Sequence, residues 1–443
     1  MNAMALHKKN QLVNSFKESL SPDQKAAMRM MEERILVNDT NCTFRDDRFY
    51  IFRFLKAHQF NVDKAERLLK QHIAYRRILG LDSEKFMNQI NQHFHKYFTR
   101  GDFGFDKEGR PVVYFPFGNI DPKAIIYFHN LPLSGQMPRK HHANTVRNQV
   151  CCTYFCVYRW PGMLYSFKGS DILKAMLVYQ EKSRRLCKQV REERGCSVYQ
   201  SIYVIDMQGI GQKHLWKPGL EVFSQIASSL EQHAPESLYR LYIINAPTIF
   251  NVFYQIVRPV LDENTKKKIR VFGSDYKGAL LEDIAPEQLP AFYGGLCFGS
   301  NGDNKCSHAI SYGGPVPKEL YFNDTVKPSK LTAVTVNRQS ETLIPIEVDT
   351  DLATISWFVK SLSQNDVGFG IYYSPDGSTD KVEDMEMIVP YFRLLTCFVP
   401  EYGSVQVNRR GKYFMRLNNK YSYFSSKHLE YNFSVAVADT PSE

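Results

Sequence analysis

Between Ile249 and Leu261 the chain carries an apolar run that a helix can place in very few settings. Ile249, Val252, Phe253, Ile256, Val257 and Val260 fall at i, i+3, i+4, i+7, i+8 and i+11, the spacing of one helical face. Phe250, Tyr254 and Leu261 widen that face until Asn251, Gln255 and Arg258 are left as a narrow polar stripe. A helix apolar nearly all round is either buried on both sides or faces a membrane or lipid. A central core helix meets the first condition. The basic run Lys266-Lys267-Lys268-Ile269-Arg270, which follows at once, suits the second, because each cation near an anionic membrane contributes on the order of 1 kcal/mol.

The flanking sequence predicts the fold class. Ser21-Pro22-Asp23-Gln24 reads as a helix cap with proline in the first helical position. Phe49, Phe52 and Leu55 keep helical spacing, and Ala65, Leu68, Leu69 and Ile73 continue it beyond a cap at Asn61-Val62-Asp63. Past the turn residues Asp106 to Gly109, β-branched and aromatic runs predict strands at Pro111–Phe117, Val198–Asp206, Leu238–Asn245 and Ile269–Phe272. A periodic helix, Leu220–Gln232, lies between the second and third of these. Strands alternating with helices imply an α/β domain with a substantially parallel sheet. Tyr312 to Lys330, rich in Gly, Pro and Lys, reads as a connector. Beyond it only strands are expected, at Leu343–Val348, Ala353–Lys360, Val367–Tyr373, Val405–Val407, Gly411–Asn418 and Leu429–Val437, the pattern of a β-sandwich. The expected division is a flexible N-terminus (1–20), a helical extension (21–95), an α/β domain (96–300), a linker (301–342) and an all-β sandwich (343–443).

Composition narrows the function classes. Of 443 residues, 43% are hydrophobic and 23% charged, which excludes a disordered or fibrous chain. No apolar stretch reaches the roughly 18 residues of a membrane-spanning helix, and the N-terminus lacks a signal-peptide core. Nine cysteines, an odd number without a secretion signal, predict free thiols in a reducing, cytoplasmic setting. The net charge is 56 − 46 = +10, yet half of it comes from Arg139, Lys140, Arg147, Arg159 and Lys168. No nucleic-acid motif accompanies these cations, so nucleic acid is not an expected partner. Gly209-Ile210-Gly211 follows a strand as a dinucleotide loop would, but the third glycine position is His214. Cys151, Cys152 and Cys156 with His141 and His142 match no zinc spacing. No enzyme, metal or cofactor is expected.

Several segments carry a family resemblance. Tyr242-Ile243-Ile244-Asn245-Ala246-Pro247, Arg258-Pro259-Val260-Leu261-Asp262, Lys213-His214-Leu215-Trp216-Lys217-Pro218 and Leu289-Pro290 with Tyr293-Gly294-Gly295 resemble the CRAL-TRIO lipid-binding domain. Arg53-Phe54-Leu55-Lys56-Ala57 with Phe60-Asn61-Val62 resembles its helical N-terminal extension, and Asp366-Val367-Gly368-Phe369-Gly370-Ile371 resembles the jelly-roll-like GOLD β-sandwich. The order of parts is similar to that of the tocopherol-associated group of such proteins.

The resemblance implies a carrier that binds a hydrophobic lipid and transfers or presents it between membranes. Ile249, Phe250, Val252, Phe253, Ile256, Val257 and Val260 would form a mobile gate over an apolar pocket, and Lys266, Lys267 and Arg270 would dock it transiently on a membrane. An acyl chain of about 16 methylenes gains roughly 13 kcal/mol on leaving water, so a carrier needs a cavity nearly as apolar as the bilayer. Glu236, Thr265 and Lys268 match positions that meet a phosphatidylinositol headgroup in some relatives, whereas Ser237 and His58-Gln59 stand where those relatives carry basic residues. A neutral hydrophobe such as tocopherol, squalene or retinoid is the competing cargo. Residues 129–169 interrupt the family pattern, either as a genuine membrane-active insertion or as non-coding sequence included in the gene model. The alternative function is an interaction adaptor whose GOLD domain recruits a protein partner.

Overall fold

A computed structural model describes Phe16 and residues 20–38, 47–117, 161–210, 217–375, 377–378 and 381–437. Helix α1 (Pro22–Asn38) opens on a reciprocal cap: Gln24 N donates to Ser21 Oγ at 3.2 Å and Ser21 N donates to Gln24 Oε1 at 3.1 Å. Helices α2 (Arg48–Ala57) and α3 (Val62–Ile78) follow, the latter capped by Asn61 Oδ1 on Lys64 N at 3.0 Å. Met31, Phe54, Leu55, Ala65 and Leu69 form the core of this layer, and Phe16 and Leu20, from the stretch read as flexible, are buried in it.

A short helix α4 (Gln92–Tyr97) leads into a five-stranded sheet of order β1-β2-β3-β4-β5. Its strands are β1 (Gly101–Phe105), β2 (Pro111–Pro116), β3 (Ser201–Asp206), β4 (Leu238–Ile244) and β5 (Ile269–Val271). β1 runs antiparallel to β2, and the remaining pairings are parallel. Parallel strands need crossovers. These are α5 (Pro161–Ser166) and the 26-residue α6 (Gly169–Arg194), then α7 (Lys217–His233), and finally α8 (Phe250–Val257) with α9 (Glu263–Lys267). β1 had no sequence signal, because Gly-Asp-Phe-Gly-Phe lacks β-branched residues.

Alternation along the strands divides the sheet into two faces. Val112, Tyr114, Ile202, Val204, Tyr242 and Ile244 pack against Leu280, Ile284, Leu289, Tyr293 and Ile310. Phe115, Tyr203, Ile205, Leu241 and Ile243 point the other way and wall a cavity. The chain from Asn301 onward, read as a linker, contributes buried Cys306, Ile310 and Val316, and Ile310 bridges to Gly101 in β1. A Cβ on Gly101 would stand 2.4 Å from Ile310 Cα, so this approach requires glycine.

The C-terminal strands form two four-stranded antiparallel sheets, the arrangement of a β-sandwich. One has the order β10-β9-β12-β7 and the other β11-β8-β13-β6. The strands are β6 (Thr332–Val336), β7 (Glu341–Val348), β8 (Ala353–Ser361), β9 (Asp366–Ser374), β10 (Glu386–Leu395), β11 (Glu401–Val407), β12 (Gly411–Asn418) and β13 (Lys427–Val437). β6 lies inside the expected linker and pairs with β13, and β10 was not foreseen at all. Pro390 masks β10 in the sequence; it is tolerated because β10 is an edge strand whose register shifts beside it.

The sandwich sits on α3 of the helical extension and on the α/β domain through β10, the loop after it and the start of β11. Phe392 meets the Tyr75 ring edge-on, Phe398 meets Tyr165, and Lys168 Nζ donates to Tyr402 O at 2.9 Å. Buried residues of α6, α7 and the sandwich belong to one continuous apolar cluster.

Candidate functional site

The cavity under β2–β5 measures about 390 Å³, within the range of about 300–1,000 Å³ usual for small-molecule sites. Its walls come from α4 and the residues after it (Phe94, Phe98), from α5 (Met163, Leu164), from one stripe of α6 (Ile172, Met176, Tyr179) and from α7 (Val222, Phe223, Ile226, Leu230). The polar groups on these walls are mostly occupied by neighbouring side chains. Tyr179 Oη meets His95 Nδ1 at 2.7 Å, Gln180 Nε2 donates to Tyr203 Oη at 2.9 Å, and Arg100 holds Asp102 through bonds of 2.7 and 2.8 Å. Thr99, also on the wall, has its buried Oγ1 without a partner among the described residues.

Helix α8 closes one side. Phe250 and Tyr254, four residues apart and stacked at 6.0 Å, line the cavity together with Leu261. Ile249 precedes the helix as its cap residue and is half-buried, whereas Val252 is 47% exposed and so belongs to the outer surface. The side chains of Phe253, Ile256, Val257 and Val260 lie outside the described residues. The helix is shorter than its apolar run: Pro259 has no N–H to donate, and Arg258–Val260 tighten into a 3-10 turn.

The three expected headgroup positions converge. Glu236, Thr265 and Lys268 all line the cavity. Lys268 Nζ lies 3.1 Å from Glu236 Oε2, and Lys56 of α2 reaches the same oxygen at 3.2 Å. Asn264 donates to the other oxygen of Glu236. Thr265 N is capped by Asp262 Oδ1 at 2.6 Å. Glu231, also on the wall, has its carboxyl pushed up by burial and by its hydrogen bond to Asp262, whose own carboxyl is held down by hydrogen bonds although burial opposes this. Lys56 was visible in the sequence only as part of a family motif, because nothing local to it predicts contact with a residue 180 positions away. The basic cluster is partly neutralised: Lys266 pairs with Glu263 at 2.7 Å and Arg270 with Glu282 at 2.9 Å, leaving Lys267 as its exposed member.

Residues 129–160, 211–216 and the thiols and imidazoles Cys151, Cys152, Cys156, His141 and His142 lie outside the described residues. Residues 161–169, the end of the expected insertion, form α5, the two-residue link Phe167-Lys168 and the first residue of α6. Among the described residues no group of three His, Cys, Asp or Glu is placed to hold a metal ion, and no helix is long and apolar enough to cross a membrane. The described cysteines Cys187, Cys196, Cys297, Cys306 and Cys397 are free thiols.

A mostly parallel sheet with an apolar cavity between it and a helical layer, and cations at one rim, has the geometry of a site for a lipophilic molecule. Residues 96–295 match the family described as CRAL/TRIO domain. CRAL/TRIO proteins bind and transfer lipophilic ligands. The chain is 29% identical over 393 residues to Protein ctg-1 of Caenorhabditis elegans, covering 87% of this chain and 91% of that protein. It is 26% identical over 313 residues to Protein real-time of Aedes aegypti, covering 70% of this chain but 41% of that protein. Among solved structures, the crystal structure of Sfh5 is similar with a TM-score of 0.37 and 14% identity, over 72% of this chain and 92% of that one.

Proposed function

We propose that this protein carries one lipid molecule in the cavity and transfers or presents it between membranes, with α8 as the movable cover. The observation that carries the reading is the division of α8 into a cavity side, Phe250 and Tyr254, and an outer side bearing exposed Val252. A cover of this kind keeps the ligand out of water when closed and offers apolar surface to a bilayer when it swings aside. Membrane contact is transient and peripheral, from the cytoplasm, with Lys267 and its neighbours facing anionic lipid.

The cargo is a lipid with a polar head at the Glu236–Lys268 rim, and phosphatidylinositol suits it: Lys56 and Lys268 against one carboxylate leave one net positive charge there. A neutral tocopherol, squalene or retinoid is the competing cargo, for which the apolar wall alone supplies affinity. The sandwich is a GOLD domain in this reading. The test is native mass spectrometry and lipid extraction on protein purified from eukaryotic cells. A stoichiometric hydrophobic ligand is the expected result, and folded protein with no lipid above background overturns it.

A further inference from the structure

One end of the β-sandwich carries an apolar tip that the cavity does not explain. Four loops meet at this end, as the register of the strands shows. β6 ends where Val336 pairs with Lys427, β12 ends where Asn418 pairs with Glu341, β8 ends at Ser361 opposite Leu429, and β10 ends where Leu395 pairs with Asp366. The loop after β10 is covered by the α/β domain through Phe398 and Tyr165. The β12–β13 loop holds its aromatics in solvent: Tyr423 is 66% exposed and Phe424 96%. On the β8–β9 turn Leu362 is 57% exposed.

The β12–β13 loop is held in a fixed shape. Asn419, fully buried, donates through Nδ2 to Val336 O, Asn337 O and Ser425 O at 3.2, 3.0 and 2.9 Å. Gln339 N donates to Ser422 O at 3.0 Å, which ties the β6–β7 turn to this loop, and Ser422 Oγ donates to Ser425 O at 3.1 Å. A loop braced this well displays Phe424 at a standing cost in exposed apolar area, and the cost is recovered only when something covers the ring.

The charge around the tip points to what covers it. Residues 336–340 and 419–428 hold Arg338, Lys420 and Lys427 and no Asp or Glu, and residues 361–365 hold no charge. The flanking acids are both neutralised, Glu341 by Arg416 at 2.7 Å and by Lys420, and Asp366 by Arg393 at 2.6 Å and by the buried Lys427 at 3.5 Å, which leaves Arg338 as the exposed cation not spent on them. Two aromatic side chains projecting singly from a convex loop are too little for a stable protein interface, which buries about 800 Å² per partner. They suit the headgroup region of a bilayer, where aromatic rings partition and cations meet anionic lipid.

We propose that the β12–β13 tip, with Tyr423 and Phe424 as the inserting residues and Arg338 as the flanking cation, is a membrane anchor that binds anionic bilayer surface independently of α8. Two separate attachment points would hold the protein on a vesicle while α8 moves.

The test uses the full chain with vesicles of phosphatidylcholine, with and without phosphatidylserine. Phe424→Asp should weaken binding to the mixed vesicles by about tenfold or more with an unchanged melting temperature, since the ring contacts almost nothing in the fold. Arg338→Glu should weaken binding to mixed vesicles while leaving the small binding to pure phosphatidylcholine unaltered. The indole introduced by Phe424→Trp should shift its emission to the blue and be quenched by brominated lipid. An indole that stays in water while the protein is vesicle-bound overturns the proposal and gives the tip to a protein partner. Wild-type protein that ignores both vesicle types overturns it as well. The first outcome leaves the carrier reading intact; the second also removes its membrane docking, while recovery of bound lipid, which does not involve Phe424, tests the cavity separately.

Discussion

Lys268 Nζ and Glu236 Oε2 stand 3.1 Å apart on the cavity rim, and Lys56 Nζ shares that oxygen at 3.2 Å. Removing Lys268 therefore leaves Glu236 paired, and the fold should survive Lys268→Ala. A charge-assisted bond from this amine to a lipid phosphate is worth about 1.5–3 kcal/mol. The variant should bind phosphatidylinositol about ten- to a hundred-fold more weakly, taking 1.4 kcal/mol per decade. Tocopherol or squalene should bind unchanged. Equilibrium binding in detergent, away from any membrane, checks this; equal losses for both classes would show that Lys268 serves the fold.

Val252 offers a cleaner probe of the α8 surface than the residues facing the cavity. At 47% exposure it packs too loosely to hold the fold, so Val252→Asp should change stability by no more than about 0.5 kcal/mol. The bound lipid should remain, because Phe250 and Tyr254 still close the wall. Transfer between vesicles should slow at least tenfold, as a carboxylate on the outer face resists entry into the bilayer. Unaltered transfer with unaltered lipid content would mean that α8 does not meet the membrane.

The sequence made α8 legible because apolar residues exceed what one buried face requires, an excess visible without any partner. Its orientation is not legible: the spacing groups Ile249 and Val252 on one face without saying which way that face turns, and the structure puts Val252 outside with Phe250 and Tyr254 on the wall. A run apolar on nearly every side carries no signal for which side turns inward. The opposite walls were hidden for a related reason. Ile172, Met176 and Tyr179 on α6 have the periodicity of packed core, and a void beside them leaves no mark on sequence. Glu236, Thr265 and Lys268 were found through the family resemblance, but the link to Lys56 depends on how α2 docks and needed the structure. Strands β1 and β10 escaped because Gly101, Gly104 and Pro390 break the local β pattern while pairing across the sheet sustains it.

Glu181 on α6 joins the helical extension to the α/β domain. Its carboxylate accepts from Arg76, Arg184 and Arg185, each at 2.8 Å, with its side chain 2% exposed. Burial opposes ionisation there, but bonds and attraction from Arg184 and Arg76 hold the carboxyl well below its ordinary range. Glu181→Gln keeps the shape and removes the charge, leaving Asp82 as the carboxylate partner of Arg76 and Asp47, at 3.1 Å, as that of Arg184. Because both arginines keep a carboxylate, a loss of about 1.5–3 kcal/mol is expected. Urea denaturation should show a lower midpoint with an unchanged slope. A loss below about 1 kcal/mol would mean that the cluster is in effect solvated.

Glu401, at the start of β11, makes the seating of the sandwich depend on pH. It is buried against the first turn of α6, near Ser170, with Oε2 lacking a hydrogen-bond partner among the described residues. Burial pushes its carboxyl up from 4.5 to about 7, against the opposing pull of Lys168 and a hydrogen bond from Ser170. The folded protein thus holds this proton more tightly than the unfolded chain does. Stability from this group is complete below about pH 4.5, declines as pH rises toward 7, and is flat above it. At 1.36 kcal/mol per unit the decline amounts to about 3 kcal/mol. Glu401→Gln mimics the protonated acid at every pH, so it should melt higher than wild type at pH 8 and level with it near pH 5. Melting curves of both proteins across that range are the measurement. Parallel curves, with no extra fall in the wild type between pH 5 and 7, would show that Glu401 reaches water in the folded protein.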